Sequence, residues 1–226
     1  MVSMDRTIPG APTSRTTVKR HADRAEYDQE TIRSIVDEAL YCHVSVVVDG
    51  SPRIIPTIHA RVGDVLYIHG SNASRTLRAM KERSEACIAI TLLDGLVLAR
   101  SAFNHSMNYR SVLIYGPLRE VDDPEEKWEA QRALVEHIIP GRAEDTRMPD
   151  DKELRQTTIM AISLDEASAK VRAGPPIDDP ADLRDPRWAG VIPLSLSVGE
   201  PVRDERVPEG TATPPYVTGY RRGGGR

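Results

Sequence analysis

Residues 43 to 83, HVSVVVDGSPRIIPTIHARVGDVLYIHGSNASRTLRAMKER, hold three apolar runs cut by two turn signals and followed by the opening of a helix. Few folds admit that order. His43 to Asp49 alternates and is rich in Val, Asp49-Gly50 supplies the positive-φ pair that a two-residue hairpin needs, and Arg53 to Ala60 returns as a second strand. Val62-Gly63-Asp64 turns again into Val65 to His69. The third run does not turn back. Ser71-Asn72-Ala73-Ser74 are residues that cap a helix, and Leu77 and Met80 follow at helical spacing among Arg75, Arg78, Lys81 and Arg83. A helix start exposes unpaired N–H groups and a partial positive charge, so basic residues behind a Ser cap suit an anion, best of all a terminal phosphate. Arg53, on the adjacent hairpin, is a second cation for the same group. Read from composition alone, the same residues serve as a solvated basic face of an amphipathic helix.

The flanking sequence extends a β-rich pattern. Asp28 caps a short helix whose Ile32, Ile35, Val36, Ala39 and Leu40 fall on one face, placed to cover one opening of a barrel. Ala86 to Leu93 reads as a fourth strand, with Asp94-Gly95 turning it into Leu96 to Arg100. A polar loop, Ser101 to Asn108, leads into a strand from Tyr109 to Gly116. Asp123 as cap, Pro124 in the first turn and Glu126 two residues on open a helix that stops at Pro140-Gly141. A charged connection then reaches Thr157 to Leu164, the last clear strand, with Ser168 to Arg172 pairing at its edge. Strands joined mostly by tight turns make an antiparallel meander or barrel rather than a parallel sheet.

At 226 residues the chain is most economically one domain with ends to spare. Residues 1 to 20 read as a flexible arm, 21 to 173 as the barrel, and 174 to 226 as a Pro-rich extension holding nine of the seventeen prolines. Within the extension, Trp188 to Leu194 is an apolar island that docks on the barrel or on a second subunit, and the tail is loose after Gly199. Aromatic residues are 4% of the chain, with a single Phe, so Val, Ile, Leu and Ala must fill the core. A net charge of −4 argues against a general nucleic-acid binder. No apolar run approaches the ~20 residues of a membrane span and the N-terminus lacks a signal-peptide core, so the expected compartment is the cytoplasm. Cys42 and Cys87 lack CxxC spacing and read as a reduced, buried pair, and no His or Cys spacing predicts a metal site.

The pieces Arg53-Ile54-Ile55-Pro56-Thr57, Leu66-Tyr67-Ile68-His69-Gly70, Ser74-Arg75-Thr76, Ala99 to Gly116 and Trp188 to Leu194 stand in the order found in a known family. Over roughly residues 20 to 195 the chain resembles the FMN-binding split β-barrels of the pyridoxamine 5′-phosphate oxidase superfamily, in the branch of the nitroimidazole-resistance reductases and flavin-nucleotide-binding proteins. The resemblance implies a β-rich α+β fold, an antiparallel split β-barrel with a few short flanking helices. It implies that Arg53, Ser74, Arg75 and Thr76 hold a flavin phosphate while Ile54, Ile55, Pro56 and Thr57 run along the ring. His69, before Gly70, then lies next to the flavin, where it positions substrate or shuttles a proton. Ser106, Asn108 and Arg110 approach the cofactor across a homodimer interface, and Trp188 covers the flavin or seals the dimer.

The same resemblance implies an FMN-dependent oxidoreductase acting on a small aromatic or nitro compound. A non-catalytic flavin or haem storage protein of the same fold is the alternative, and haem or a deazaflavin are alternative cofactors. The chain departs from true pyridoxamine-phosphate oxidases near its C-terminus, where Arg187 and Trp188 are only loose stand-ins for the residues that hold a pyridoxal substrate.

Overall fold

The computed structural model describes residues 10–72, 77, 80 and 85–221. Ten strands form one antiparallel sheet: β1 (Ala25–Glu26), β2 (Tyr41–Val48), β3 (Ser51–Val62), β4 (Val65–Ser71), β5 (Ala86–Leu98), β6 (Ser106–Gly116), β7 (Arg119–Glu120), β8 (Thr157–Ser163), β9 (Ala167–Arg172) and β10 (Gly190–Pro193). The order is β1-β9-β6-β5-β2-β3-β4-β8-β7, with β10 added to β5. The sheet curls around an aliphatic core without its end strands joining, so the barrel is split, as the family resemblance implies. Among the described residues four complete helices flank it, α1 (Gln29–Glu38), α2 (Pro124–Ile138), α3 (Asp151–Gln156) and α4 (Pro215–Thr218), and Leu77 and Met80 are helical as well. Among the described residues no helix is long and apolar enough to cross a membrane.

The turns follow their local chemistry. Asp49 and Gly50 adopt φ values of 51° and 74°, the pair a two-residue hairpin between Val48 and Ser51 requires. Gly63, at φ 58°, closes β3 onto β4. The Asp28 carboxylate accepts the Thr31 N–H at 2.8 Å to start α1, and Ile32, Ile35 and Val36 are buried. The carbonyls that α1 leaves free at its end are taken by imidazoles: His59 Nε2 donates to Val36 O at 2.8 Å and His137 Nε2 to Ala39 O at 2.7 Å. Asp123 caps α2 at the Glu126 N–H, and Ala130 and Leu134 bury its inner face.

The main core joins α1 to the inward faces of β2, β5, β6 and β8, through Ile88, Ile90, Ile114, Met160 and Ile162 among others. It is aliphatic throughout, and the single Phe of the chain, Phe103, lies 92% exposed. A second cluster, Tyr67, Val121, Ala130, Ile159 and Ala161, lies under α2. There the Tyr67 hydroxyl donates to Glu126, and burial with that carboxylate pushes its pKa up to about 12. Burial likewise pushes the Cys42 thiol up to about 12, while Cys87 is only half-buried; both are free.

Three local readings change. Asp94-Gly95 is not a turn: β5 runs unbroken from Ala86 to Leu98, and the extra residue is absorbed as a bulge between Leu93 and Gly95. A turn signal inside a strand already paired on both sides is overridden by the ladder. Ser106 to Asn108 belong to β6 rather than to a loop, because the polar residues alternate against Val97 to Gly95. β9 does not pair with β8: the chain leaves β8 at Leu164, and β9 joins β6 and β1 on the other half of the barrel. The charged connection contains α3, opened by reciprocal bonds between Asp150 and Glu153; it buries no residue and so shows no apolar period.

The described residues near both ends make specific contacts. Thr13 and Arg15 bond Glu166, and Arg15 also reaches Glu85 at 2.8 Å. At the other end, Tyr216 donates to Asp145 at 2.5 Å and Tyr220 donates to Ile138 O at 2.9 Å, so residues 216 to 220 return to the end of α2.

Candidate functional site

Strand register creates the site. β3 pairs with β2 from Ser51 to Ile58, but with β4 only from His59 to Val62. β4 in turn continues past its last β3 partner, and His69, Gly70 and Ser71 pair with β8 alone. The two strands therefore diverge from the His59–Ile68 pair onward. This seam leaves the facing backbone edges of residues 53 to 58 and 69 to 71 without ladder partners, a set of N–H and C=O groups ready for a planar polar ligand.

Alternation sorts the predicted residues of β3 into two faces. Arg53, Ile55 and Thr57 stand opposite Val46, Val44 and Cys42, on the inward face. Ile54 and Pro56 stand opposite Ser45 and His43, on the outward face, where Ile54 is 64% exposed. Arg53 is exposed and makes no hydrogen bond or ion pair among the described residues, whereas Arg100, Arg110 and Arg119 are paired with carboxylates. A cation left without a partner at the rim of a cleft suits an anionic ligand group.

His69 closes the root of the seam, one residue beyond the last β3–β4 pair. It shares the outward face with Tyr67, and continuation of the ladder would set it opposite Ile58, beside Pro56 and His43. The ring is half-buried, its Nδ1 is buried with no hydrogen-bond partner, and burial lowers its pKa from the ordinary 6.5. It is a neutral imidazole at neutral pH, able to accept a proton or ligate a metal. Gly70 follows because the helix requires it: a Cβ there would lie 2.5 Å from Leu77 Cδ1, and Leu77 and Met80 are helical and buried in the main core.

Ser74, Arg75 and Thr76 lie outside the described residues. The residue before that segment is firmly anchored. Asn72 donates to Arg155 O at 2.7 Å, accepts from the Thr158 hydroxyl at 2.5 Å, and its own N–H reaches Gln156 O at 3.2 Å.

Ser106, Asn108 and Arg110 share one face of β6, which β5 and β2 separate from β3 in the sheet. Two of them are engaged by the protein itself. Arg110 makes bidentate contacts with Glu38 at the end of α1 and with Asp94 in the bulge, which raise its pKa further. Asn108 is buried, donates to Gly174 O at 3.2 Å and accepts from Arg172. Trp188 is 67% exposed and folds back over Gly190, where any Cβ would meet its ring at 2.9 Å. Within one chain, then, the seam and the β6 group form separate places.

Sequence reading missed the residues that fix these places. Arg172, 7% exposed, donates to Asn108 and to the carbonyls of Gly174 and Pro175, pinning the start of the C-terminal strap. Arg100 donates through its backbone N–H and its guanidinium to Asp178, whose side chain is 1% exposed. The only signal was an Arg at the predicted end of each strand, which pattern alone does not separate from surface charge.

Comparison with known proteins agrees with this geometry. The family model of pyridoxamine 5′-phosphate oxidase matches residues 28–171. The chain belongs to the pyridoxamine 5′-phosphate oxidase family. Among solved structures, the flavocytochrome Anf3 from Azotobacter vinelandii superposes with a TM-score of 0.90 at 41% identity, over 95% of this chain and 100% of that one. A FAD and heme binding protein from Mycobacterium smegmatis gives 0.84 at 36% identity, over 88% and 98%. A candidate 5-nitroimidazole antibiotic resistance protein from Bacteroides thetaiotaomicron gives 0.56 at 24% identity, over 65% and 86%, a likeness of fold. No curated protein matches the chain in sequence. The match to this pyridoxamine 5′-phosphate oxidase family model spans β2 to β9 and so contains the whole seam.

Proposed function

We propose that this protein is a flavin-dependent redox protein, a homodimer that seats a flavin nucleotide along the β3–β4 seam and carries haem as a second group. The observation that carries the flavin is the seam itself: unpaired backbone from residue 53 to 58, an unpartnered Arg53 at its rim and a neutral His69 at its root. The haem rests on two relatives at 36% identity or more that match nearly the full chain and are named for flavin and haem together. FAD is the form in one of those names, and FMN is the form the family resemblance implies; the seam accepts either, since both share the ring and its first phosphate.

In this reading Arg53 pairs with the phosphate, joined by Ser74, Arg75 and Thr76. The backbone from Ile54 to Thr57 bonds the polar edge of the ring, and His69 holds or accepts a proton beside it. Flavin supplies the redox chemistry when bound, while the protein contributes position, electrostatics and exclusion of water. His59 on β3 and His137 on α2 bond the end of α1, which leaves His43 and His69, both on the outward face of the sheet, as candidates to ligate haem iron. Dimerisation brings a second copy of Ser106 and Trp188 toward the seam, joining places that one chain keeps apart. The electron acceptor is a small molecule, a small aromatic or nitro compound being the class the family resemblance implies.

The decisive experiment is the visible spectrum of the purified protein, with chromatography of the flavin released on denaturation and a haemochrome assay. Flavin and Soret bands together support the reading, and the released nucleotide decides between FMN and FAD. Protein that stays colourless after incubation with FAD, FMN and haemin would end it. Flavin that is never reoxidised by any acceptor would favour storage over catalysis.

A further inference from the structure

β10 is short and ends at Pro193, while its partner β5 continues to Ala86. It pairs with β5 from Gly190 opposite Leu98 to Pro193 opposite Gly95, and the Leu194 N–H still reaches Asp94 O at 3.0 Å. Farther along, the same edge of β5 is occupied by β2, so the chain must leave the sheet. The sequence nevertheless continues with a strand's period: Ile192, Leu194, Leu196 and Val198 alternate with Pro193, Ser195, Ser197 and Gly199. Those four apolar side chains are 45%, 38%, 61% and 42% exposed.

The stretch is tethered at both ends and exposed along its length. β10 fixes one end and the Tyr216 and Tyr220 hydroxyls fix the other, while among the described residues Ser195 to Thr213 hydrogen-bond only within themselves. Ile192 stands opposite Leu96, so its apolar side continues the outward face of the sheet. On that face Leu93 and Leu113 are also exposed, and the outward positions of β2, β3 and the first half of β5 carry no acidic or basic side chain apart from His43. A neutral apolar strand thus projects from the edge of a neutral apolar face, and a two-fold partner offers the same pair of surfaces in return.

We infer that Ile192 to Val198 is a clasp that closes the homodimer, the strand of each protomer lying across the outward sheet face of the other. The occupant is a second copy because neither surface carries a charge to pair with an unlike partner, and because an exchange about a two-fold axis covers both surfaces at once. The inference rests on the dimer proposed above, and it names the segment on which that dimer's strength depends.

Sedimentation velocity on the full chain tests it. Leu196→Asp with Val198→Asp should raise the dimer dissociation constant on the order of 100-fold or more, since apolar groups are lost twice over in a symmetric interface. The melting temperature of the dissociated protomer should not change, because both side chains are exposed within it. A dimer as strong as wild type in that variant overturns the clasp and leaves the dimer standing; a wild-type chain that stays monomeric at tens of micromolar overturns both. A second measurement does not depend on the double variant. Ser197→Cys with Cys87→Ser, labelled with a photoreactive maleimide, should give dimer-sized products linked to β2, β3 or β5 of the other copy. Products linked only within one chain overturn the clasp.

Discussion

At the scale of single residues, the distinction that matters is between polar groups the fold consumes and those it leaves free. Arg53 is exposed and has no partner among the described residues, so Arg53→Gln should leave the melting temperature unchanged while weakening FMN or FAD binding by about 10-fold or more, the worth of a charge-assisted bond. Riboflavin, which lacks the phosphate, should bind both forms alike, and fluorescence quenching titrations distinguish the two outcomes. His69 is a free group of another kind. Its pKa is lowered by burial, so the folded state resists the protonation that the unfolded state accepts below the ordinary 6.5. The stability this contributes is complete above that value and is lost as pH falls through the folded pKa. Melting temperatures followed downward from neutral pH should therefore decline less steeply in His69→Asn than in wild type; parallel curves would show that His69 is not the group concerned.

At the scale of elements, the seam depends on how β4 gives way to the helix carrying Leu77 and Met80. A methyl group on Gly70 would sit 2.5 Å from Leu77 Cδ1, so Gly70→Ala should cost about 1–3 kcal/mol by forcing a packed side chain out of place. Adding Leu77→Ala should bring less than the summed loss of the two single changes, and denaturant titration of the cycle measures that coupling. Arg110 ties three elements, α1 through Glu38, the β5 bulge through Asp94, and β6 on which it stands. Arg110→Gln leaves two carboxylates facing one another and should cost about 2–4 kcal/mol, toward the lower end because the side chain is 29% exposed. Flavin bound per folded protein should stay constant. A fall in flavin affinity beyond the loss of folded protein would return Arg110 to the cofactor site.

At the scale of the molecule, Ile192 to Val198 and the outward face around Ile54, Leu93 and Leu113 are exposed, and the proposed dimer would cover them. If folding and dimerisation are linked, the melting temperature should rise with protein concentration, by a few degrees across about two decades. A melting temperature independent of concentration, with the protein sedimenting as a monomer, would leave the β6 group with no seam to complete.

Much of this was written in local sequence. Hairpins, helix caps and the alternation of Val and Ile set the strands of the split barrel, because two-residue turns and period-two burial are decided by neighbours in the chain. The Asp28 and Asp123 caps, the Asp49-Gly50 turn and the aliphatic core follow from rules that act over a few residues. What sequence could not decide was which strand edge each run would meet. β9 reads as a neighbour of β8 and joins β6 instead; Asp94-Gly95 reads as a turn and is held straight by partners on both sides; Arg110 and Asn108 read as ligand-binding and are drawn into bonds with Glu38, Asp94 and Gly174. Those outcomes depend on groups dozens of residues apart meeting in space. The seam is of that kind too: its residues are legible one by one, but the gap between them exists only because β3 keeps to β2 while β4 keeps to β8.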